Sequence, residues 1–147
     1  MVYADIELIN GGDLEMVQRG YMDKDEIRKL PINVLVDTGS FPLAINENIQ
    51  EVLKITVVGK KKLTLANGES VLYDIVCPVE VRFKNRICTC RAVVLPGSSE
   101  PLLGAIPLEE MDLIVHPKKQ ELITNPAHGE DGLWMLKSYR ESVLIKK

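Results

Sequence analysis

Aromatic residues, cysteines and long apolar runs are all scarce in this chain, and each shortage narrows what the protein can be. Aromatic side chains make up 5% of the residues, whereas Val, Ile and Leu are plentiful, which favours β-strands. No apolar run reaches the roughly 18 residues of a membrane span, so no membrane partner is expected. The net charge of -3 gives no general attraction to nucleic acid, which is therefore not an expected partner either.

The cysteines argue against both a disulfide framework and a metal site. Cys77, Cys88 and Cys90 are odd in number, so they do not pair up completely. Zinc prefers four ligands at matched spacing, which one C-x-C pair and a distant cysteine do not supply. We interpret them as core thiols and predict neither a metal nor a cofactor. Because the first residues carry acids and no basic leader, we expect no signal peptide and a reducing, cytoplasmic location.

What the sequence does contain is a series of short β-rich segments separated by turns. This pattern predicts an all-β sandwich or barrel in one domain over residues 1–147. Asn67-Gly68 predicts a hairpin with a type I′ turn, in which both central residues have positive φ. Asn46 is a favoured N-cap for a short helix, and Pro107 begins another. Two more strands are expected around the Pro117-Lys118-Lys119 turn, and Lys60-Lys61-Lys62 is expected to form a turn. The remaining strands are expected at 2–9, 14–21, 32–36, 43–45, 55–58, 79–83, 86–95 and 133–137.

The most informative stretch is VLVDTGS, residues 34–40. An acid that ends an apolar strand needs a reason, because an unpaired buried charge is costly. One reason is catalysis, since aspartic proteases use two neighbouring carboxylates that share one proton. The chain contains a single Asp-Thr-Gly, at Asp37, so the second carboxylate would have to come from a second copy of the chain across a two-fold axis.

Two other interpretations of the same stretch remain open at this point. Actin-like ATPases carry a strand followed by a D-x-G-[ST] phosphate turn, although such folds need two α/β domains and more helix than this chain predicts. The stretch could also be a structural turn that simply ends a strand. Four residues alone do not decide, because a short motif depends on its context. Neither His116 nor His128 lies in a nucleophile-elbow pattern, so no catalytic triad is indicated.

The context resembles that of the retropepsin-like aspartic proteases, especially their small bacterial and archaeal members. VLVDTGS is similar to the catalytic strand and loop of that family. LANGESV, residues 65–71, is similar to its flap hairpin, and EPLLGAIPLEEMDLIVHPKKQELITNP, residues 100–126, is similar to its Gly-containing segment, short helix and following strands. The resemblance spans about residues 32–126, with 1–31 as N-terminal strands and an insertion and 127–147 as a tail.

The resemblance implies a retropepsin-like barrel with a flap and one or two short helices, acting as a homodimeric aspartic endopeptidase on peptide or protein substrates. By the same resemblance, Asp37 is the catalytic aspartate, Thr38 braces the two loops across the dimer axis, Gly39 faces substrate and Ser40 hydrogen-bonds Asp37. The flap residues are Ala66, Asn67, Gly68 and Glu69, and the loop is supported by Leu102, Leu103 and Gly104. Phe41 is expected to narrow or line the cleft. The alternative is a non-catalytic peptide-binding or dimerisation module with the same fold.

Overall fold

The computed structural model describes residues 1–130 and 132–133, and strands dominate it, which confirms the all-β fold class. The strands are β1 (Val2–Asn10), β2 (Lys29–Val36), β3 (Leu43–Asn46), β4 (Val57–Thr64), β5 (Ser70–Phe83), β6 (Arg86–Leu95), β7 (Leu102–Leu103), β8 (Leu113–His116) and β9 (Glu121–Thr124). The helices are α1 (Gly11–Gln18), α2 (Glu47–Leu53) and α3 (Ala105–Glu110), with 3-10 turns at Lys24–Glu26 and Pro126–His128. Within the described ranges, no helix is long and apolar enough to cross a bilayer.

Seven of the strands form one sheet, and six of these seven pair in a closed ring. The order is β1, β2, β7, β3, β6, β5, and β5 then pairs with β1 again. The pairings are antiparallel except β2 with β7 and β3 with β6, which are parallel. Strand β4 extends the sheet beyond the ring by pairing with the first half of β5, while β8 and β9 form a separate hairpin. The two-residue strand β7 therefore lies between the strands on either side of the Asp37 loop.

Alternation along the strands gives the sheet two different apolar faces. Val34 and Val36 of β2 belong to the large core, together with most of the buried aliphatic residues. A second, smaller cluster on the opposite face consists of Ala44, Ile75 and Val93, with Leu63, Leu95 and Leu102 packed against it. Leu35 and Asp37 are alternate positions along the chain, so the alternation places Asp37 at the end of this second face.

The prediction of a second strand at 14–21 is wrong, because residues 11–18 form α1. Asn10 caps this helix by accepting from the Asp13 N–H, and its amide donates to the carbonyl of Leu53 at the end of α2. The Asp13 carboxylate is buried, and the Arg28 guanidinium donates to both carboxylate oxygens, at 2.7 and 2.9 Å. These polar contacts form across the chain and outweigh the weak strand pattern.

The lysine run is also not the turn that the sequence predicted. Lys60, Lys61 and Lys62 lie inside β4, which extends to Thr64 and pairs with Ser70–Val76 of β5. Consecutive strand residues face opposite sides, so Lys61 shares a face with Leu63 while its two neighbours point the other way. The short predicted strand at 55–58 begins only at Val57.

Several local predictions are confirmed. Asn46 caps α2 by accepting from the Ile49 N–H at 2.8 Å. Strands β5 and β6 form the second hairpin around Lys84, whose φ is +52°. Helix α3 contains Pro107 in its first turn, although it begins two residues earlier, at Ala105. The β8–β9 hairpin also forms as expected.

A buried arginine ties the residues after β9 to the hairpin of β5 and β6. Arg86 is 4% exposed and donates to the carbonyls of Met111, Asp112, Gly129 and Glu130. Of the predicted last strand, residues 133–137, all but Leu133 lies outside the described residues, as do Trp134 and most of the 127–147 tail.

Candidate active site

The site is built where β2 ends and the chain turns sharply into β3. Strand β7 is inserted between these two strands, parallel to β2 and antiparallel to β3. The backbone N–H of Asp37 donates to the carbonyl of Leu103 at 3.0 Å. Further along the loop, the carbonyls of Ser40 and Phe41 accept from the N–H groups of Ala105 and Ile106 at 2.6 and 2.9 Å. Both ends of the loop are therefore fixed to one short segment.

Both oxygens of the Asp37 carboxylate accept hydrogen bonds from the loop itself. The Gly39 N–H donates to Oδ1 at 3.0 Å, and the Ser40 hydroxyl donates to Oδ2 at 2.9 Å. The Ser40 N–H also donates to the Asp37 carbonyl at 3.2 Å. These bonds fix the carboxylate plane before any substrate is present. They leave the half-buried carboxylate open on its outer side, because Thr38 and Gly39 are exposed.

Gly104 occupies a position that no larger residue fits. A Cβ added there would lie 2.3 Å from the Pro42 carbonyl oxygen and 2.6 Å from that of Ser40. The contact atoms belong to the backbone, so they cannot rotate away. The fully buried Leu103 precedes it and closes the core below the loop, while Leu102 joins the smaller apolar face. Of the three predicted supporting residues, Leu103 and Gly104 thus contact the loop, whereas Leu102 pairs with the strands on either side of it.

The predicted flap is the hairpin of β4 and β5, and its tip spans residues 65–69. The Gly68 N–H donates to the Leu65 carbonyl, the Leu65 N–H donates to the Glu69 carbonyl, and the Glu69 N–H donates to the Asn67 side chain. Of the two central residues, only Gly68 has a positive φ, +87°, so the predicted type I′ turn is wrong. An Asn67 side chain that accepts from the second residue after it stabilises a different turn.

Every residue from 65 to 69 is exposed, and the hydrogen bonds just described all lie within the hairpin. The structure brings the loop and β7 into contact, whereas the flap tip residues Ala66, Asn67, Gly68 and Glu69 form a separate projecting element. Two residues before the tip, Leu63 packs on the same apolar face that leads to Asp37. An exposed tip whose turn bonds stay within its own hairpin suits a lid.

A comparison with known families bears on the interpretations that the sequence left open. A family model described as aspartyl protease matches residues 25–106, which is more than half of the chain. The chain belongs to this aspartyl protease family. The match covers the Asp37 loop, the predicted flap and Gly104, and it supports a retropepsin-like fold with a protease-type function. No curated protein matches the chain.

The cysteines are buried or half-buried, and the two histidines contact nearby polar groups. Cys88 is buried, and Cys77 and Cys90 are half-buried. A hydrogen bond with Cys88, together with burial, raises the pKa of the Cys90 thiol, which keeps it protonated and unreactive. His116 Nδ1 accepts from the Lys118 and Lys119 N–H groups. His128 Nδ1 lies 2.7 Å from the Asp112 carboxylate.

Several residues that the sequence did not single out surround a cavity next to the loop. Lys61, Arg91 and Ile106 line this cavity together with Phe41, which had been expected in the cleft. The signal for Lys61 was misleading, because counting outward from a two-residue Asn67-Gly68 turn places it opposite Asp74, whereas its partner on β5 is Tyr73. No local pattern could have placed Arg91 or Ile106 there, since they come from a strand and a helix that meet the loop only in the folded chain.

Proposed function

We propose that this protein is a homodimeric aspartic endopeptidase in which Asp37 of each protomer supplies one carboxylate of the catalytic pair. The observation that carries the proposal is the Asp37 loop itself. Its carboxylate is held by Gly39 and Ser40 and its surface is open. One chain offers a single such loop among its described residues, and the chemistry needs two carboxylates, so a second copy completes the site.

Thr38 supports this assembly. It is exposed, and within the described residues its hydroxyl makes no hydrogen bond, although it lies between two residues that are firmly held. A hydroxyl at this position can donate to and accept from the equivalent loop of a partner. Such paired bonds would set the distance between the two Asp37 carboxylates.

The proposed reaction uses the two carboxylates in different protonation states. Two like charges at contact distance do not both ionise, so the pair holds one proton. The ionised carboxylate takes a proton from a water molecule, and the oxygen of that water attacks the peptide carbonyl carbon. The protonated carboxyl gives its proton to the carbonyl oxygen, which forms a tetrahedral diol. When the C–N bond breaks, the nitrogen leaves with a proton from the pair, and the second product is a carboxylic acid.

The surrounding elements match the needs of this chemistry. A carboxylate that is oriented in advance costs little reorganisation during the reaction. The backbone fixed by Gly104 keeps the loop from adjusting. A flap that closes over an extended peptide would exclude bulk water, and the peptide backbone would pair with strand edges beside the loop.

The test is cleavage of a diverse peptide mixture, read by mass spectrometry from acidic to neutral pH, with the oligomeric state measured by sedimentation. We expect a dimer that cleaves, and an Asp37→Asn variant that folds and dimerises but does not cleave. Asp25→Asn, at an exposed position in the 3-10 turn, serves as the matched control and should retain activity. Full activity of Asp37→Asn would overturn the proposal. A dimeric wild-type protein that binds peptides and leaves them uncut would favour the binding module.

A further inference from the structure

A cavity of about 430 Å³ begins one residue after the active-site loop. One wall is the smaller apolar face of the sheet, represented by Leu63 of β4, Ile75 of β5 and Val93 of β6. Because Asp37 follows the same face, a peptide that lies across the catalytic carboxylate passes the cavity. The position therefore suits the recognition of a substrate side chain.

The opposite wall comes from the loop and from α3. Phe41 is 75% exposed and Ile106 is 52% exposed, so both apolar side chains are accessible to a ligand. The Ile106 N–H donates to the Phe41 carbonyl at 2.9 Å, so the two residues are held together. The backbone that carries this wall is consequently held in the same way as the loop itself. A ligand that enters the cavity meets a preformed apolar surface on both sides.

The charges that line the cavity are all positive. Lys61 of β4 and Arg91 of β6 contribute to it, and no carboxylate of the described residues does. Among the residues that the structure describes, neither cation has an ion-pair partner. Lys60, on the other side of β4, pairs with Asp74 at 2.7 Å. Glu110 of α3 is not part of the lining, although its charge contributes to the raised pKa of the Cys90 thiol.

We propose that this cavity is a specificity site for an acidic side chain, glutamate in the first place, of the peptide held at the active site. The inference rests on the proposed function and adds a substrate class to it. The methylene groups of a glutamate would pack on the apolar walls, while its carboxylate stays near the solvent-exposed cations. Glutamate suits the site better than aspartate because its longer stem covers more apolar surface. Charge complementarity of this kind discriminates between otherwise similar peptides.

The two cations stand on strands that are separated by β5, and both line the cavity. Both are exposed to solvent, which limits the effect of each one. We expect a glutamate peptide to exceed its glutamine counterpart about tenfold in kcat/KM, and the removal of either cation to cost about threefold. The preference should shrink when the salt concentration is raised from 50 to 500 mM, as roughly expected from screening.

The experiment uses acetylated, amidated peptide pools so that no terminal carboxylate competes with a side chain. Cleavage products of the wild type, Lys61→Gln, Arg91→Gln and Lys62→Gln are sequenced by mass spectrometry. Lys62 is the matched control, because it is next to Lys61 but faces the other side of β4. We expect Glu to be enriched at one fixed position relative to the cut, less so in the first two variants and unchanged in the control. Lys61→Glu should shift the preference toward Lys or Arg.

A parallel binding measurement separates this inference from the proposed function. Matched pools that differ only by Glu or Gln at one position are titrated into the dimeric Asp37→Asn protein. Tighter binding of the Glu pool that is lost in Asp37→Asn/Lys61→Gln supports the acidic site even if the wild type cuts nothing. Asp37-dependent cleavage without any acidic preference would overturn the acidic site and leave the peptidase intact. Equal binding of both pools, or a preference that persists in Lys61→Gln and Arg91→Gln, would overturn it as well.

Discussion

The active-site loop and the flap tip are both short turns between strands, yet the protein holds them in opposite ways. Residues 37–40 are hydrogen-bonded to β7 and α3 and rest on the fully buried Leu103. Residues 65–69 are exposed, and their turn bonds stay within the hairpin. In the proposed function, the loop would therefore be set before substrate arrives, and the flap would be free to close afterwards. Hydrolysis of a peptide benefits from both, because a fixed carboxylate lowers the reorganisation cost and a lid excludes water.

The largest expected effect comes from adding one methyl group beneath the loop. Gly104→Ala would place a Cβ 2.3 Å from the Pro42 carbonyl oxygen. We expect the free energy of unfolding to fall by about 3 kcal/mol and cleavage to be lost, since the loop has to move to make room. Chemical denaturation and the peptide assay measure the two effects. Near wild-type values for both would show that the loop is not rigidly supported.

The second prediction concerns the segment that leads into β2 and hence into the loop. The Arg28 guanidinium, hydrogen-bonded to Asp13, holds the pKa of that carboxyl below its usual value. A carboxyl with a lowered folded-state pKa stabilises the protein above its unfolded pKa, and this contribution is lost as the pH falls through the folded value. We expect Asp13→Asn to cost about 2 kcal/mol at neutral pH.

The pH dependence of this cost is the sharper test. The gap between wild type and Asp13→Asn should be constant well above the ordinary carboxyl value of 3.8 and should close as the pH falls below it. Hydrogen exchange should show acid loosening of α1 and the start of β2 in the wild type, with the flap amides unaffected. A gap that widens in acid would contradict the assigned ion pair.

The third prediction tests the orientation of the Asp37 carboxylate, the proposed catalytic group. Ser40→Ala removes the hydroxyl that donates to Asp37 Oδ2 at 2.9 Å and adds nothing in its place. We expect kcat to fall about tenfold with little change in KM, and the free energy of unfolding to fall by about 1 kcal/mol. Ser40→Thr keeps the hydroxyl and should restore most of kcat. Equal loss in both variants would show that the hydroxyl is not what matters.

The smallest effect is expected at the flap, and it uses the same substitution as the first prediction. Gly68 has a φ of +87°, and no atom lies within 4 Å of a Cβ added there. Gly68→Ala is strained but meets no clash, so we expect a stability loss of about 1 kcal/mol or less. Cleavage should slow a few-fold through flap closure. A cost equal to that of Gly104→Ala would remove the contrast between the two regions.

Much of the fold was readable from local patterns. The β-branched run before Asp37 predicted β2, Asn46 predicted the start of α2, and the turn at Asn67-Gly68 predicted the flap hairpin. Each of these signals acts within a few residues, so the sequence around it is sufficient. The same locality explains why the Asp-Thr-Gly loop and its resemblance to aspartyl proteases could be recognised from the order of residues alone.

The errors came from contacts between distant parts of the chain. Helix α1 replaced a predicted strand because Asn10 and Asp13 find partners at Leu53 and Arg28. The charge of the three β4 lysines suggests an exposed turn, but the pairing of the hairpin places them inside the strand. The cavity beside Phe41 was not foreseeable, because its lining comes from β4, β5, β6 and α3.

The sequence by itself determined the Asp37 loop, the all-β character and the family, because each depends on short runs of residue types with their own backbone preferences. Only the tertiary structure decided what surrounds that loop. It inserted β7 beneath Asp37, brought Gly104 against the carbonyls of Ser40 and Pro42, and gathered Lys61 and Arg91 around one cavity. Such contacts join residues far apart in the chain, and their free energy is available only when the strands between them have paired.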